Sequence, residues 1–135
     1  MMTEMASPER RRFWLLESDD DHAALFTRCF VHLDPRGSVE RVGWADEALT
    51  RLHQGERPDI IVLELDLPGM TGLEFLEQVR EHFRLATRLI VFTSLDSTLL
   101  RIRCRELGVA MFLTKPLDAE QYRANVRLML LNSLG

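Results

Sequence analysis

The sequence of 135 residues lacks several features that would indicate particular classes of protein. It has no run of about 18 consecutive apolar residues, so we expect no membrane-spanning helix. Its formal net charge is −4 and its basic residues are dispersed, which argues against a nucleic-acid-binding surface. The two cysteines, Cys29 and Cys104, match no metal-ligand spacing. We interpret them as free core thiols of a protein in the reducing cytoplasm.

Lysine is almost absent from the chain. Of the 17 basic residues only one is a lysine, Lys115, and it directly precedes Pro116. A general preference for arginine accounts for the other basic positions, but it does not explain why this single position keeps a lysine. Lys115 is therefore a candidate functional residue.

Apolar clusters alternate regularly with amphipathic stretches, which predicts five strand–helix units in succession. The predicted strands cover residues 13–16, 39–42, 59–65, 89–92 and 111–113, and the predicted helices cover residues 25–33, 46–53, 73–82, 96–107 and 118–130. Right-handed crossovers then favour an α/β fold with a doubly wound, five-stranded parallel sheet and helices on both faces. We place one domain at residues 12–135, after a polar lead-in at residues 1–11, and expect no effector domain after the last helix.

Glu64 interrupts the most apolar of these strands near its carboxyl end. The four residues before it, 60–63, are all apolar, as in a strand that is buried on both faces of a sheet. A carboxylate in that position has to be solvated, paired or functional. Because open α/β sheets bind ligands beyond the carboxyl ends of their strands, we favour a functional role for Glu64.

Polar residues follow four of the five predicted strands. They are Glu17, Ser18 and Asp19 after the first strand, Glu64 and Asp66 after the third, Thr93 after the fourth, and Lys115 after the fifth. In a doubly wound sheet these strand ends converge on one crevice. Carboxylates, a hydroxyl and a lysine together suit a Mg²⁺ ion and a phosphoryl group.

This ordered set resembles the receiver domain of two-component response regulators, of the chemotaxis-regulator type, over residues 12–131. Strand-end acids, a Leu-Pro-Gly-Met-x-Gly loop at residues 67–72, a strand-end Thr93 and the Lys115-Pro116 pair occur in the family's order. The resemblance implies a flavodoxin-like sheet of strand order 2-1-3-4-5. It also implies a role in signal transduction and phosphorelay rather than catalysis.

The resemblance also assigns roles to individual residues. Glu64 stands at the phosphoacceptor position and Asp66 at the position whose backbone carbonyl binds the metal. Thr93 is the switch hydroxyl, Phe112 the switch aromatic and Lys115 the phosphate-binding lysine, and the family's Lys-Pro bond predicts a cis peptide at Lys115-Pro116.

The chain departs from the family pattern at two positions. The family has Asp where this chain has Glu64, and its pair of metal-binding acids aligns here with Glu17 and Ser18. A shift of one residue makes the pair Ser18 and Asp19 instead, but it places Thr27 where the first helix should bury Phe26, so we prefer the first alignment.

Both departures weaken phosphoryl chemistry. Glu64 reaches roughly 1.5 Å further than Asp, and Ser18 removes a charged metal ligand. We therefore expect Mg²⁺ binding through Glu17 and the Asp66 carbonyl to be weak or lost. Our hypothesis is a pseudo-receiver in which Glu64 pairs with Lys115 and imitates the phosphorylated state.

Two alternatives remain open. One is a competent phosphoacceptor receiver with Mg²⁺-dependent phosphorelay activity. The other is a flavodoxin-like cofactor-binding enzyme, although the acidic segment after the first strand would repel a flavin phosphate.

The family also indicates where a partner would bind. The face formed by the fourth helix, fifth strand and fifth helix is the expected docking surface for a histidine kinase or a downstream effector, in a monomer or weak dimer. Candidate contacts on that face are Leu99, Leu100, Arg101, Arg103 and Tyr122. Both tryptophans, Trp14 and Trp44, are interpreted as packing residues.

Overall fold

A computed structural model describes residues 11–132 of the chain. Within this part five strands and five helices alternate: β1 (Arg12–Leu16), α1 (Asp20–Leu33), β2 (Ser38–Val42), α2 (Ala45–His53), β3 (Ile60–Leu63), α3 (Gly72–His82), β4 (Arg88–Thr93), α4 (Thr98–Glu106), β5 (Met111–Thr114) and α5 (Ala119–Asn132). Apart from Arg11, the predicted lead-in at residues 1–11 lies outside the described residues.

The strands form one parallel sheet in the order β2-β1-β3-β4-β5. The predicted doubly wound fold and strand order are confirmed. In this order β1 and β3 are neighbours although they are not consecutive along the chain, so the helices that follow them leave on opposite faces of the sheet. The loops at the carboxyl ends of β1 and β3 therefore border one crevice.

Two apolar layers bury the faces of the sheet. One layer packs α2, α3 and α4 against the sheet and includes Trp14, Leu63 and Phe75. The other packs α1 and α5 and includes Phe26 and Val126. All four residues of β3 are buried because the strand lies at the centre of the sheet between these layers.

Side-chain caps mark the beginnings of several helices. Asp19 caps α1 by accepting a hydrogen bond from the backbone N–H of His22 at 3.0 Å. Thr71 and Glu74 form a capping box at the start of α3, directly after the loop that follows Glu64. Ser97 caps α4 by accepting a hydrogen bond from the backbone N–H of Leu100.

Some details of the sequence prediction are wrong. The third strand ends at Leu63, two residues earlier than predicted, because the chain turns into the loop after Glu64. The described residues contain no cis peptide bond, so the bond between Lys115 and Pro116 is trans. Trp14 is buried as predicted, but Trp44 is 51% exposed and is not a core residue.

The cysteines and the helices also bear on the sequence predictions. Cys29 and Cys104 are both free and buried, as predicted. Between residues 11 and 132, no helix is both long enough and apolar enough to cross a membrane.

Candidate functional site

The crevice at the carboxyl edge of the sheet holds a cluster of buried polar side chains. Glu17 follows β1, Glu64 follows β3, Thr93 ends β4 and Lys115 follows β5. Glu17 and Glu64 are each 4% exposed and Thr93 is fully buried. Four segments far apart in the sequence therefore meet at one site, as their positions at the strand ends predict.

Both carboxylate oxygens of Glu64 accept several hydrogen bonds. Oε2 accepts hydrogen bonds from the Thr93 hydroxyl and from the backbone N–H of Asp66, the latter at 3.1 Å. Oε1 accepts from the backbone N–H and the hydroxyl of Ser94, at 3.2 and 3.4 Å, and it pairs with Lys115 Nζ at 2.9 Å. Hydrogen bonds of this number offset much of the cost of burying a charge.

Lys115 lies between two carboxylates. Its Nζ atom is 2.5 Å from Glu17 Oε1 and 2.9 Å from Glu64 Oε1, and its side chain is only 6% exposed. The cluster thus contains two acidic groups and one basic group that are all shielded from water. A buried charge without a partner is costly, so each of the three groups depends on the others.

Backbone contacts fix the positions of these side chains. The Glu64 N–H donates to the Leu16 carbonyl at 3.0 Å, and the Lys115 N–H donates to the Thr93 carbonyl at 2.7 Å. Both bonds extend the pairing of the sheet one residue beyond the strands. The Glu64 and Lys115 side chains are therefore held by the sheet itself and not by mobile loops.

The surroundings of Glu64 favour its ionised form. Burial by itself raises the pKa of this carboxyl, but the opposing contributions are larger in sum. Hydrogen bonds from Thr93, Lys115 and the Asp66 N–H, together with the positive charge of Lys115, hold the pKa of Glu64 below its ordinary value. Glu64 is therefore a carboxylate at neutral pH.

The first acidic segment divides into one buried and several exposed residues. Glu17 points into the site, and its Oε2 accepts from the Asp19 N–H at 3.1 Å. Ser18 is exposed, and Asp19 is an exposed helix cap. Only Glu17 of the predicted acidic pocket contributes a carboxylate to the cluster.

Arg41 holds this acidic segment in place, a role that the sequence analysis missed. Its Nε donates to the Glu17 carbonyl and its Nη2 to the Ser18 carbonyl, both at 2.9 Å, and its Nη1 pairs with Asp20 at 2.7 Å. The signal in the sequence is weak, because Arg41 is one of many arginines. Its position near the end of the second strand, beside the predicted acidic segment, is the feature that could have indicated it.

The two remaining predicted site residues lie at the margin of the cluster. Asp66 is exposed, and its contribution to the cluster is the backbone N–H bonded to Glu64. Phe112 is half-buried against the core layer that contains Trp14. The Arg101 guanidinium lies 4.6 Å from the centre of the Phe112 ring and also donates to the Thr114 hydroxyl at 2.9 Å.

The donor groups of the cluster do not fit a bound Mg²⁺ ion as they are arranged. The carboxylates of Glu17 and Glu64 both form ion pairs with Lys115. Ser18 supplies a neutral hydroxyl at a position where a carboxylate would strengthen the binding of Mg²⁺. No set of three His, Cys, Asp or Glu side chains between residues 11 and 132 is placed to hold a metal ion.

Two residues predicted for the docking face differ sharply in exposure. Leu99 is 79% exposed, whereas Tyr122 is 2% exposed and donates its hydroxyl to the His22 carbonyl. Burial and the nearby negative charge of Glu17 raise the pKa of Tyr122. Tyr122 is therefore a core residue, and its assignment as a docking contact is wrong.

Comparison with known proteins gives one consistent result. The family model described as the response regulator receiver domain matches residues 15–127. The alkaline phosphatase synthesis transcriptional regulatory protein PhoP of Bacillus subtilis (strain 168) is 30% identical over 115 residues, which cover 84% of this chain and 47% of that protein. The chain spans still smaller shares, 16% and 32%, of two other curated relatives.

Solved structures share the fold at low sequence identity. The phosphorylated cyanobacterial phytochrome response regulator RcpA has a TM-score of 0.85 and 22% identity, covering 93% of this chain and 95% of that chain. The Mn²⁺-bound response regulator Rcp1 has a TM-score of 0.80 and 21% identity, covering 88% and 91%. The family match favours a signalling module over the alternative of a cofactor-binding enzyme. The chain belongs to the response regulator receiver domain family and is a receiver domain of two-component signalling.

Proposed function

We propose that this protein is an atypical receiver that signals without being phosphorylated and acts by binding a partner protein. The observation that supports this most directly is the set of contacts made by Glu64. The Thr93 hydroxyl and the Lys115 ammonium both bind the Glu64 carboxylate itself.

These contacts leave no free nucleophilic oxygen at position 64. A carboxylate that accepts a phosphoryl group needs one oxygen directed at the phosphorus atom, in line with the leaving group. Both oxygens of Glu64 are instead directed at donors, and a phosphoryl group would have to displace Thr93 or Lys115 from them. Poor positioning of this kind removes most of the rate enhancement in phosphoryl transfer.

The same contacts resemble those implied for an activated receiver. In the family the corresponding threonine and lysine bind the oxygens of the phosphoryl group. Here Thr93 and Lys115 bind the longer carboxylate of Glu64. A negative charge is thus held at the site, and Thr93 is held in its inward position, with no modification. We infer that the domain is fixed in one signalling state.

The output of such a domain is a protein contact. The face built from α4, β5 and α5 carries the exposed Leu99 and Ile102, at 79% and 49% exposure, and it is our proposed surface for a histidine kinase or a downstream effector. Apolar side chains exposed at this spacing on one helix are typical of a binding surface. We place this activity in the cytoplasm and in a monomer or weak dimer.

A phosphorylation assay tests the proposal. The protein is incubated with acetyl phosphate, with and without millimolar Mg²⁺, and its intact mass is measured. A receiver that is known to be phosphorylated serves as the positive control. We expect no added phosphoryl mass on this protein. An Mg²⁺-dependent label located on Glu64 would overturn the proposal and establish a competent receiver.

A further inference from the structure

A cavity of about 390 Å³ opens at the surface next to the buried cluster. It is lined by Ser18, Arg41, Gly43, Trp44 and Glu47. These residues come from the loop after β1, from β2 and from the start of α2, so the cavity lies at the carboxyl edge of the sheet. It is separate from the proposed docking face on α4, β5 and α5.

Trp44 gives this cavity its main apolar surface. Its side chain is 51% exposed, and a Cβ placed on Gly69 would lie 3.8 Å from two atoms of the ring, so the ring rests against the loop after β3. Trp44 also occupies the N-cap position of α2 without making a side-chain capping bond. Ser, Thr, Asp and Asn are the residues that favour this position, so helix stability does not explain the tryptophan.

The lining of the cavity contains one carboxylate, Glu47, and one basic side chain, Arg41. Asp46 precedes Glu47 in the first turn of α2. Arg41 is the basic residue of the lining, but its guanidinium is already paired with Asp20 and bonded to two backbone carbonyls. Because Asp20 already balances the charge of Arg41, the carboxylate of Glu47 beside the exposed ring of Trp44 is complementary to a further cation.

The rest of the molecule shows which cation its aromatic rings accept. Arg51 lies 4.6 Å from the ring centre of Trp14, and Arg57 lies 5.4 Å from that of Phe83. Between residues 11 and 132 no arginine or lysine lies over the ring of Trp44. The ring is therefore available to a cation from another protein.

We propose that this cavity binds an arginine or lysine side chain of a partner protein, with the cationic group over Trp44 and paired with Glu47. The inference rests on the proposed role as a partner-binding module, but it does not depend on the state of Glu64. It adds a second point of contact, on the opposite edge of the sheet from β5, and it specifies a basic residue in the partner.

Binding of short peptides tests this inference. The probe is acetyl-Gly-Arg-Gly-amide, and the control is the same peptide with neutral citrulline in place of arginine. Nuclear magnetic resonance of the ¹⁵N-labelled protein follows the backbone signals and the Trp44 indole N–H during each titration. We expect shifts confined to the cavity residues, and at least fivefold weaker binding of the citrulline peptide.

Two variants locate the binding and one serves as a control. Trp44→Leu and Glu47→Gln should each weaken binding of the arginine peptide at least fivefold, while Glu120→Gln, an exposed carboxylate on α5, should leave it unchanged. Equal binding of the two peptides, an unaffected Trp44→Leu variant, or shifts located elsewhere would overturn the inference. Phosphoryl label on Glu64 would overturn only the proposed function and would leave these results intact.

Discussion

At the scale of single residues, the buried ion pairs of Lys115 dominate the energetics of the site. Replacing Lys115 by Met leaves Glu17 and Glu64 as two buried carboxylates without a counter-charge. We expect this to lower the free energy of unfolding by about 3–5 kcal/mol at pH 7, measured by urea denaturation. The control is Arg103→Met, which removes an ion pair between Arg103 and Glu77. These two side chains are 46% and 43% exposed, respectively. This substitution should cost less than about 1 kcal/mol, and equal losses in the two variants would contradict the prediction.

The ionisation of Glu64 predicts a particular dependence of stability on pH. Since its pKa in the folded protein is below the ordinary value, the ionised group stabilises the fold above the ordinary carboxyl range. That contribution is lost as the pH falls through the lowered pKa. Urea denaturation of the wild type and of Glu64→Gln should therefore give the largest difference in stability at neutral pH, and a smaller one below about pH 4. A difference that stays constant between pH 7 and pH 3 would exclude this account.

Residue identity and order were sufficient to predict the centre of the site but not its supports. Glu64 is identifiable as a carboxylate that interrupts an apolar strand, Thr93 as a hydroxyl at a strand end, and Lys115 as the single lysine of the chain. Arg41 was not found, because its contacts depend on which backbone carbonyls the loop after β1 presents to it. No pattern of residue types encodes that geometry.

At the scale of elements, the junction of β3 and α3 depends on Gly72. A Cβ at this position would lie 2.6 Å from the Glu64 carbonyl oxygen and 2.7 Å from Leu65 Cα, so α3 begins in direct contact with the backbone of the site. We expect Gly72→Ala to displace that backbone and to cost about 1–3 kcal/mol in thermal or urea unfolding. Gly43→Ala is the matched control, because open space surrounds the position of its Cβ.

The two glycine variants also differ in their effect on the site. Gly72→Ala should shift the backbone amide signals of Ser94 and Asp66, which both bind Glu64, while Gly43→Ala should leave them in place. If Gly72→Ala were as stable as the wild type with unchanged signals, the close packing of α3 on Glu64 would be disproved.

The existence of each element was easier to predict than its limits. Period-two and period-3.6 patterns identify strands and helices through the residues that they bury. The apolar pattern begins only at residue 25, five residues after the start of α1, because the first turn contains the exposed acidic residues Asp20 and Asp21, which add no apolar residue to the pattern. The cap at Asp19 and the favourable charge of the helix dipole extend α1 over that turn.

At the scale of the whole molecule, the chain has the receiver fold and places Glu64 among the strand ends that meet at its centre. The sheet order and both core layers follow from five repeated strand–helix units, and they bring the same strand ends together whichever acid stands at position 64. The exposure of Trp44 is not predictable in this way. It depends on how the loop after β2 packs against the loop after β3 and not on the repeating pattern.

The proposed function predicts that two substitutions are sufficient to give this scaffold phosphoacceptor chemistry. Glu64→Asp shortens the carboxylate and withdraws it from Thr93 and Lys115, which frees both groups for a phosphoryl oxygen. Ser18→Asp adds a charged ligand for Mg²⁺, and we expect on the order of tenfold tighter Mg²⁺ binding in the double variant. With acetyl phosphate, that variant should gain an Mg²⁺-dependent phosphoryl mass on residue 64.

A nearly isosteric control isolates the role of charge at position 18. The control variant combines Ser18→Asn with Glu64→Asp. The asparagine at position 18 is about the same size as aspartate but lacks its negative charge. This variant should bind Mg²⁺ more weakly and accept less phosphoryl group than the variant with Ser18→Asp. If neither double variant is modified although both keep the circular dichroism spectrum of the wild type, the loss of chemistry does not lie in Ser18 and Glu64. The constraint would then lie in the fixed positions of Glu17 and Lys115, which pair at 2.5 Å.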